Sequence, residues 1–312
     1  MSVTTFTFPS SDRLHTVEAR LWRPESTQPV KGTIQLVHGM AEHIDRYADF
    51  AQWLTANGWV VAGDNHLGHG HTGGKTPLGY FGTRAPVDHL IDDEFILTKY
   101  LRQNYPGLPH VIIGHSMGSM MTQVFLTRYG HWIDAAVLIG TSAYHPILTL
   151  VRPIVSILNS VAPKRPNHFL DNLAFGGYAK RFPEDFPFQW LSANADNVHR
   201  YNADPLSGFT FTNNGFKVLF QLTHLATRRH WFDGIPLELP MLITSGEHDP
   251  VGGFGQGPKR LLRHLTHAGY TDVTLKTWPQ MRHEILNERD HEQVYALILN
   301  WIETHLSDAE RK

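Results

Sequence analysis

Short apolar runs, spaced along the chain and separated by segments of helical periodicity, constrain this sequence more than any other feature. They occur at 33–37 (TIQLV), 59–62 (WVVA), 110–113 (HVII), 135–139 (AAVLI), 240–244 (PMLIT) and 273–277 (VTLKT). Runs this short, with little polar alternation, fit strands buried on both faces. Between them the pattern predicts helices at 46–57, stopped by Gly58, at 87–104, ending before Pro106, and at 117–129, stopped by Gly130. Further helices are predicted near 259–268 and at 292–305. Segments 5–8 and 17–22 alternate in polarity and predict an opening antiparallel pair. The class is α/β, a mostly parallel sheet covered on both faces by helices.

The rhythm breaks between about 144 and 236, a stretch rich in Pro, Phe and Asn without a clear strand. Positions 147, 150, 154, 157 and 161 form one apolar helical stripe, and 148, 151, 155 and 158 a second. A helix apolar on two faces is buried or covers something apolar. The organisation expected is a core of residues 1–143 and 237–312, interrupted by a mostly helical insertion at 144–236.

Composition narrows the function. With 27 Lys plus Arg against 29 Asp plus Glu, no basic footprint calls for nucleic acid. There are no cysteines, which removes disulfides, thiolate metal sites and a cysteine nucleophile together. The first residues, MSVTTFTFPSSDRLHTVEARLW, lack the basic and apolar regions of a secretory signal. The apolar-rich stretch 147–162 is broken by Arg152 and Pro153 and falls short of the ~20 residues of a bilayer span. The expectation is a soluble, cytoplasmic protein without a membrane span.

The run at 110–113 leads into Gly114-His115-Ser116-Met117-Gly118, a serine between two glycines where strand gives way to helix. Glycines and serines are common at such junctions for purely local reasons. In this context, though, the pattern is that of a nucleophile elbow, with Ser116 on a strained turn that larger neighbours would block. A serine nucleophile needs a base, and the base an orienting acid, in the chain order Ser, acid, His. After the run at 240–244 comes Ser245-Gly246-Glu247-His248-Asp249-Pro250, where Asp249 is the preferred acid and Glu247 its rival. After 273–277 comes Trp278-Pro279-Gln280-Met281-Arg282-His283, which puts His283 in the base position. His264, His267 and His291 fall on predicted helices and fit less well. The backbone N–H groups of Met40 and Met117 are the expected oxyanion-hole donors, with Gly39 permitting the turn at Met40.

These segments carry a family resemblance. HGMAEHIDRY at 38–47, NHLGHGHT at 65–72, GHSMGS at 114–119, YNADPL at 201–206, SGEHDPVGGFG at 245–255 and RHEILNE at 282–288 follow one another along nearly the whole chain. The sequence resembles the α/β-hydrolase superfamily, in its monoacylglycerol lipase and lysophospholipase-like branch of S33-type hydrolases. The resemblance implies a Ser116–Asp249–His283 triad, the Met40 and Met117 oxyanion hole, a helical cap at 144–236 and no cofactor or metal. It also implies that Glu42 and Arg46 sit near the polar head of the substrate; a structural ion pair tying the loop to its helix is the alternative. Two departures stand out. Leu67 replaces the usual Arg of the second segment, and Leu286 stands three after His283, where some monoacylglycerol lipases have a His.

The chemistry expected is two-step acyl transfer on a small-molecule ester with an apolar acyl chain. Leu148, Val151 and Ile154 are the cap residues expected to line the acyl pocket, together with Val155, Leu158, Phe169, Phe175 and aromatics of 182–190. Docking of the cap onto the sheet is the plainer role for most of them. Transient contact with lipid aggregates is expected of such a cap. Esterases for short or xenobiotic esters remain alternatives. A peptidase of the proline-iminopeptidase type would carry HGGPG-like and GGSWGG-like segments, which are absent. Metal-dependent hydrolysis is prompted by Asp64 to His71, but no HExxH pattern occurs. A non-catalytic ligand-binding module is a third class, and oligomeric state is left open.

Overall fold

The computed structural model describes residues 1–25, 27–142, 147–228 and 230–309. An antiparallel pair opens the chain, β1 (Ser2–Pro9) with β2 (Thr16–Arg23). There follow β3 (Gly32–Val37), a 3-10 turn at Ile44–Tyr47, α1 (Ala48–Ala56), β4 (Trp59–Asp64) and α2 (Pro86–Asn104). Next come β5 (His110–His115), α3 (Met117–Tyr129) and β6 (Ala135–Ile139). The strands join in the order β1-β2-β4-β3-β5-β6 and continue with β7 (Met241–Gly246) and β8 (Val273–Trp278). From β4 onward every neighbouring pair is parallel. The expected α/β-hydrolase sheet is therefore present, and its strands end along one edge, where open α/β sheets bind ligands.

Alternation along the central strands explains why this sheet needs helices on both sides. Val111 and Ile113 of β5 join Val137 and Ile139 of β6 in a core cluster with Phe50 of α1. Ile298 of α9 (His291–Ala309) closes the same cluster. Ile112, Ala136 and Leu138 point the other way, into a cluster with Ile91 of α2 and Phe125 of α3. Leu261 and Leu265 of α8 (Gln256–His267) complete that second side. α3 is buried along Met117–Leu126, as its near-continuous apolar sequence requires.

The segment between β6 and β7 adds no strand to the sheet among the described residues. It forms α4 (Ile147–Val161), α5 (His168–Phe175), α6 (Ala195–Ala203) and α7 (Asn213–Thr227). α7 packs on α3, and α4 packs on α7. Thr212 starts α7 by accepting a hydrogen bond from Gly215 N–H, and Asn167 does the same for α5 with Leu170 N–H. The two apolar stripes of α4 part company here. Val151 and Val155 are buried, whereas Ile154, Ile157 and Val161 are 54%, 65% and 80% exposed. No helix among the described residues is long and apolar enough to cross a membrane.

Phe125 is fully buried where α3 meets the sheet, against Phe95 and Tyr129. Phe125→Ala is expected to lower the unfolding free energy in urea by about 3–5 kcal/mol. A loss below about 1 kcal/mol would contradict this packing.

Candidate active site

Ser116 sits between β5 and α3 at φ 55°, ψ −117°, a backbone region that side chains rarely adopt. The two glycines make this geometry possible. A Cβ on Gly118 would collide with the Val37 and His38 carbonyls, and one on Gly114 with Gly118 and Thr122. The turn is then pinned by its own backbone. Ser116 N–H donates to Ile139 O on β6 at 2.9 Å, and Ser116 O accepts from Ser119 and Met120 N–H at 3.0 and 3.2 Å.

Asp249 follows β7 and is fully buried. Its carboxylate accepts from Val251 N–H at 2.8 Å and from Ser245 Oγ at 3.3 Å, and its Oδ2 stands 3.0 Å from Nδ1 of His283. That last contact has the length of an ion pair but lies off the line of a straight hydrogen bond. Glu247, the rival acid, is exposed and instead accepts from Thr277 Oγ1 at 2.8 Å. His264, His267 and His291 lie away on α8 and α9. The imidazole of His283 rests on Gly140, where a Cβ would stand 3.1 Å from Cε1 and 3.2 Å from Nδ1. Its ring centre is 4.8 Å from that of His115 and 5.5 Å from that of Trp190.

The loop after β3 lies against the serine, since a Cβ on Gly39 would come within 3.2 Å of Ser116 Cβ. Met40 and Met117 both face the cavity, and neither backbone N–H is engaged among the described residues. Three buried histidines hold this loop. His38 Nδ1 donates to Gly39 O at 2.8 Å, so its Nε2 accepts from His66 N–H at 3.2 Å. His66 Nε2 donates back to His38 O at 3.1 Å, and the two rings stack 3.7 Å apart. His69 Nδ1 donates to Leu67 O, leaving Nε2 to accept from Ala41 N–H at 3.1 Å. Burial, then the charge of His66, pushes the His69 imidazole down to about 3, so it holds its place as a neutral acceptor.

Nδ1 of His66 faces Glu94 at 3.2 Å and Asp64 at 3.5 Å. These three ligand atoms lie within 4.8 Å of one another, a donor set that a divalent cation could take. A proton is also enough to satisfy it. Burial, then the Asp64 charge, pushes the Glu94 carboxyl well above the usual carboxylate range.

Ser116, His283, Met40, Met117, Glu42 and Val151 all line one cavity of about 330 Å³. Four of the expected pocket residues need correction or fall outside. Ile154 points to solvent instead of the cavity, because the inward face of α4 is set by Val151 and Val155. The side chain of Leu148 lies outside the described residues. Arg46 does not line the cavity. Its guanidinium instead bonds Glu42, both oxygens of Glu284 at 2.7 Å and Asn197 at 3.3 Å, and packs 4.7 Å from the Tyr201 ring centre. Burial alone would lift the Glu42 carboxyl, but its hydrogen bond to His115 and the Arg46 charge hold it well below the usual range. Phe169, also expected in the pocket, is exposed, whereas Phe175 and Trp190 do line it.

Residues 28–290 match the family model described as serine aminopeptidase, S33. The chain belongs to this family. The hydrolase is 29% identical over 292 residues to the monoacylglycerol lipase of Mycolicibacterium smegmatis, covering 92% of each chain. It is 29% identical over 250 residues to human monoglyceride lipase, covering 77% of this chain and 74% of that one. Among solved structures, the thermostable carboxyl esterase from Bacillus coagulans, in complex with glycerol, matches with a TM-score of 0.90 at 29% identity. That match covers 97% of this chain and 99% of the esterase. The protein is thus a serine hydrolase of the α/β-hydrolase fold. Both departures from the family pattern are buried in the hydrolase core, Leu67 in the cluster that holds Phe81 and Leu286 in the one that holds Ile285.

Sequence reasoning missed Gly140 and Glu284, and it did not foresee that Trp190 faces the His283 ring. Gly140 offered a signal of a kind, a lone glycine directly after a buried strand; Trp190 lay within the aromatic cluster but had no assigned partner. His115 adds a pH-dependent element. Burial would lower it, but its hydrogen bond to Glu42 and that carboxylate's charge leave it raised. A raised imidazole stabilises the fold fully below about pH 6.5 and loses that contribution as pH rises through the raised value. The advantage in Tm of wild type over His115→Gln is therefore expected to be larger at about pH 6 than at about pH 9. An advantage that grows with pH would contradict the pairing.

Proposed function

We propose that this hydrolase cleaves lipid-like carboxylic esters, such as monoacylglycerols or lysophospholipids, through a Ser116–His283–Asp249 triad. The observation that carries the proposal is the strained Ser116 at the floor of a cavity that also exposes His283, with Asp249 3.0 Å behind it. His283 takes the Ser116 proton as Oγ attacks the ester carbonyl, and the N–H groups of Met40 and Met117 stabilise the oxyanion. The imidazolium then protonates the departing alcohol, leaving an acyl-enzyme. Water attacks this ester with His283 as base, and collapse returns the fatty acid and free Ser116. Asp249 holds the imidazole's orientation and faces its charged form.

In this reading residues 144–236 act as a cap over a core of 1–143 and 237–312, with the start of the cap outside the described residues. An apolar acyl chain is favoured by the cavity's lining of Val151, Phe175, Trp190, Phe209, Leu219 and Phe220. Its volume of about 330 Å³ falls within the range of small-ligand sites. The relatives named monoacylglycerol lipase and carboxyl esterase support the same bond type.

A chain-length series of p-nitrophenyl esters and monoacylglycerols, run on wild type and Ser116→Ala, tests this. Wild-type turnover peaking at medium or long chains is expected, with kcat in Ser116→Ala reduced by about 10⁴-fold or more. Turnover confined to short esters would retain the triad and replace the lipid substrate by a small ester. Full activity in Ser116→Ala would overturn the proposal.

A further inference from the structure

We infer that the segment 182–197 of the cap is a positioning device for His283, acting through Arg282, and that the hydrolase builds its base jointly from core and cap. The inference rests on His283 being the base, as proposed above. From the core, the imidazole receives the Asp249 contact at 3.0 Å, and its backbone carbonyl accepts from His115 Nε2 at 3.2 Å. The residues on either side of it reach in the opposite direction. Arg282 is buried, and its guanidinium donates to Gln189 O at 2.6 Å, to Ser192 O at 3.3 Å and to Glu184 Oε1 at 2.6 Å. It also packs 4.1 Å from the Phe182 ring centre. On the other side, Glu284 N–H donates to Leu191 O at 2.7 Å, and Glu284 Oε2 accepts from Asn197 Nδ2 at 2.6 Å.

A second layer closes the loop on itself. Glu288 accepts from Arg282 N–H at 2.8 Å and from Ala193 N–H at 3.0 and 3.1 Å, and Asn194 Nδ2 donates to Asn287 O at 3.0 Å. Apart from the neutral Asn194 amide bond, these contacts are charge-assisted or backbone-to-backbone, and they are concentrated on one cap segment. That same segment carries Trp190, whose ring stands 5.5 Å from the imidazole, with Phe175 stacked beyond it at 6.2 Å. The imidazole is therefore bounded by Gly140 on the core side and by Trp190 on the cap side. Were the cap segment to shift, Arg282 and Glu284 would carry the backbone of His283 with them. A displacement of about 1 Å at a catalytic group costs on the order of 10²-fold in rate.

The test compares wild type, Arg282→Met, Arg282→Lys and Glu184→Ala on p-nitrophenyl acetate, a substrate too small to need the acyl cavity. Reactive sites are first counted by labelling to completion with a fluorophosphonate, so that kcat is expressed per labelled site. Arg282→Met is expected to label fully, to lose about 30-fold or more in kcat per site, and to keep KM within about threefold. Arg282→Lys, which retains the charge but not the fork, should fall between the two. A merely structural arginine would lower the number of labelled sites and leave kcat per site as in wild type; that result, or no change in either, overturns the inference. Should Arg282→Met not fold, Glu184→Ala decides by the same ratio, because the Glu184 side chain is partly exposed and its loss removes one Arg282 partner without emptying the arginine's own site. Failure of the fluorophosphonate to label wild type, or labelling that persists in Ser116→Ala, would instead overturn the functional proposal beneath it.

Discussion

The closeness with which α3 meets the end of β3 governs the rest of the site. Gly118 brings the first turn of that helix so near the Val37 and His38 carbonyls that no side chain fits between. Only then can Ser116 take a positive φ, at a cost of about 1–3 kcal/mol that the surrounding sheet and helix must over-determine. They do so through the bonds of Ser116 to Ile139, Ser119 and Met120. The same approach sets Gly39 against the serine and leaves the Met117 amide at a helix start, where the helix dipole favours negative charge.

Charge at the site is buried and shared among three loops. Arg46 bridges Glu42, beside Met40, to Glu284, beside His283, and touches Asn197 on α6. A buried ion group of this kind is a poor measure of net stability, since desolvation offsets much of the attraction. Removing one partner is another matter, at about 3–5 kcal/mol for the charge left unpaired. The Glu42 loop, the His283 loop and α6 are thereby held in one register. The buried histidine layer of His38, His66 and His69 performs the corresponding task, each ring oriented by the carbonyl that it donates to.

Much of this was legible in the sequence, for physical reasons. Strands buried on both faces have to be apolar, so β3 to β7 stood out, and the elbow glycines are dictated by close approach. The chain order of serine, acid and histidine singled out Asp249 and His283 because each follows a strand, and the structure does bring their side chains together. Less legible was whatever depends on which way an element turns. Two apolar stripes on α4 are equally good candidates for the inside, and only packing on α7 decides for Val151 and Val155 over Ile154. The ties from Arg282 to backbone carbonyls at 189 and 192 leave no trace in composition or periodicity, since any residue offers a carbonyl. Gly140 matters for a ring that arrives from far along the chain.

The central claim is that Ser116 carries the acyl group. Rapid acid quench of the hydrolase during turnover of a p-nitrophenyl ester, followed by peptide mass mapping, tests it most directly. The account predicts one acyl mass increment, on the peptide that contains Ser116. An increment on a different side chain, or steady turnover with no acylated peptide, would contradict it.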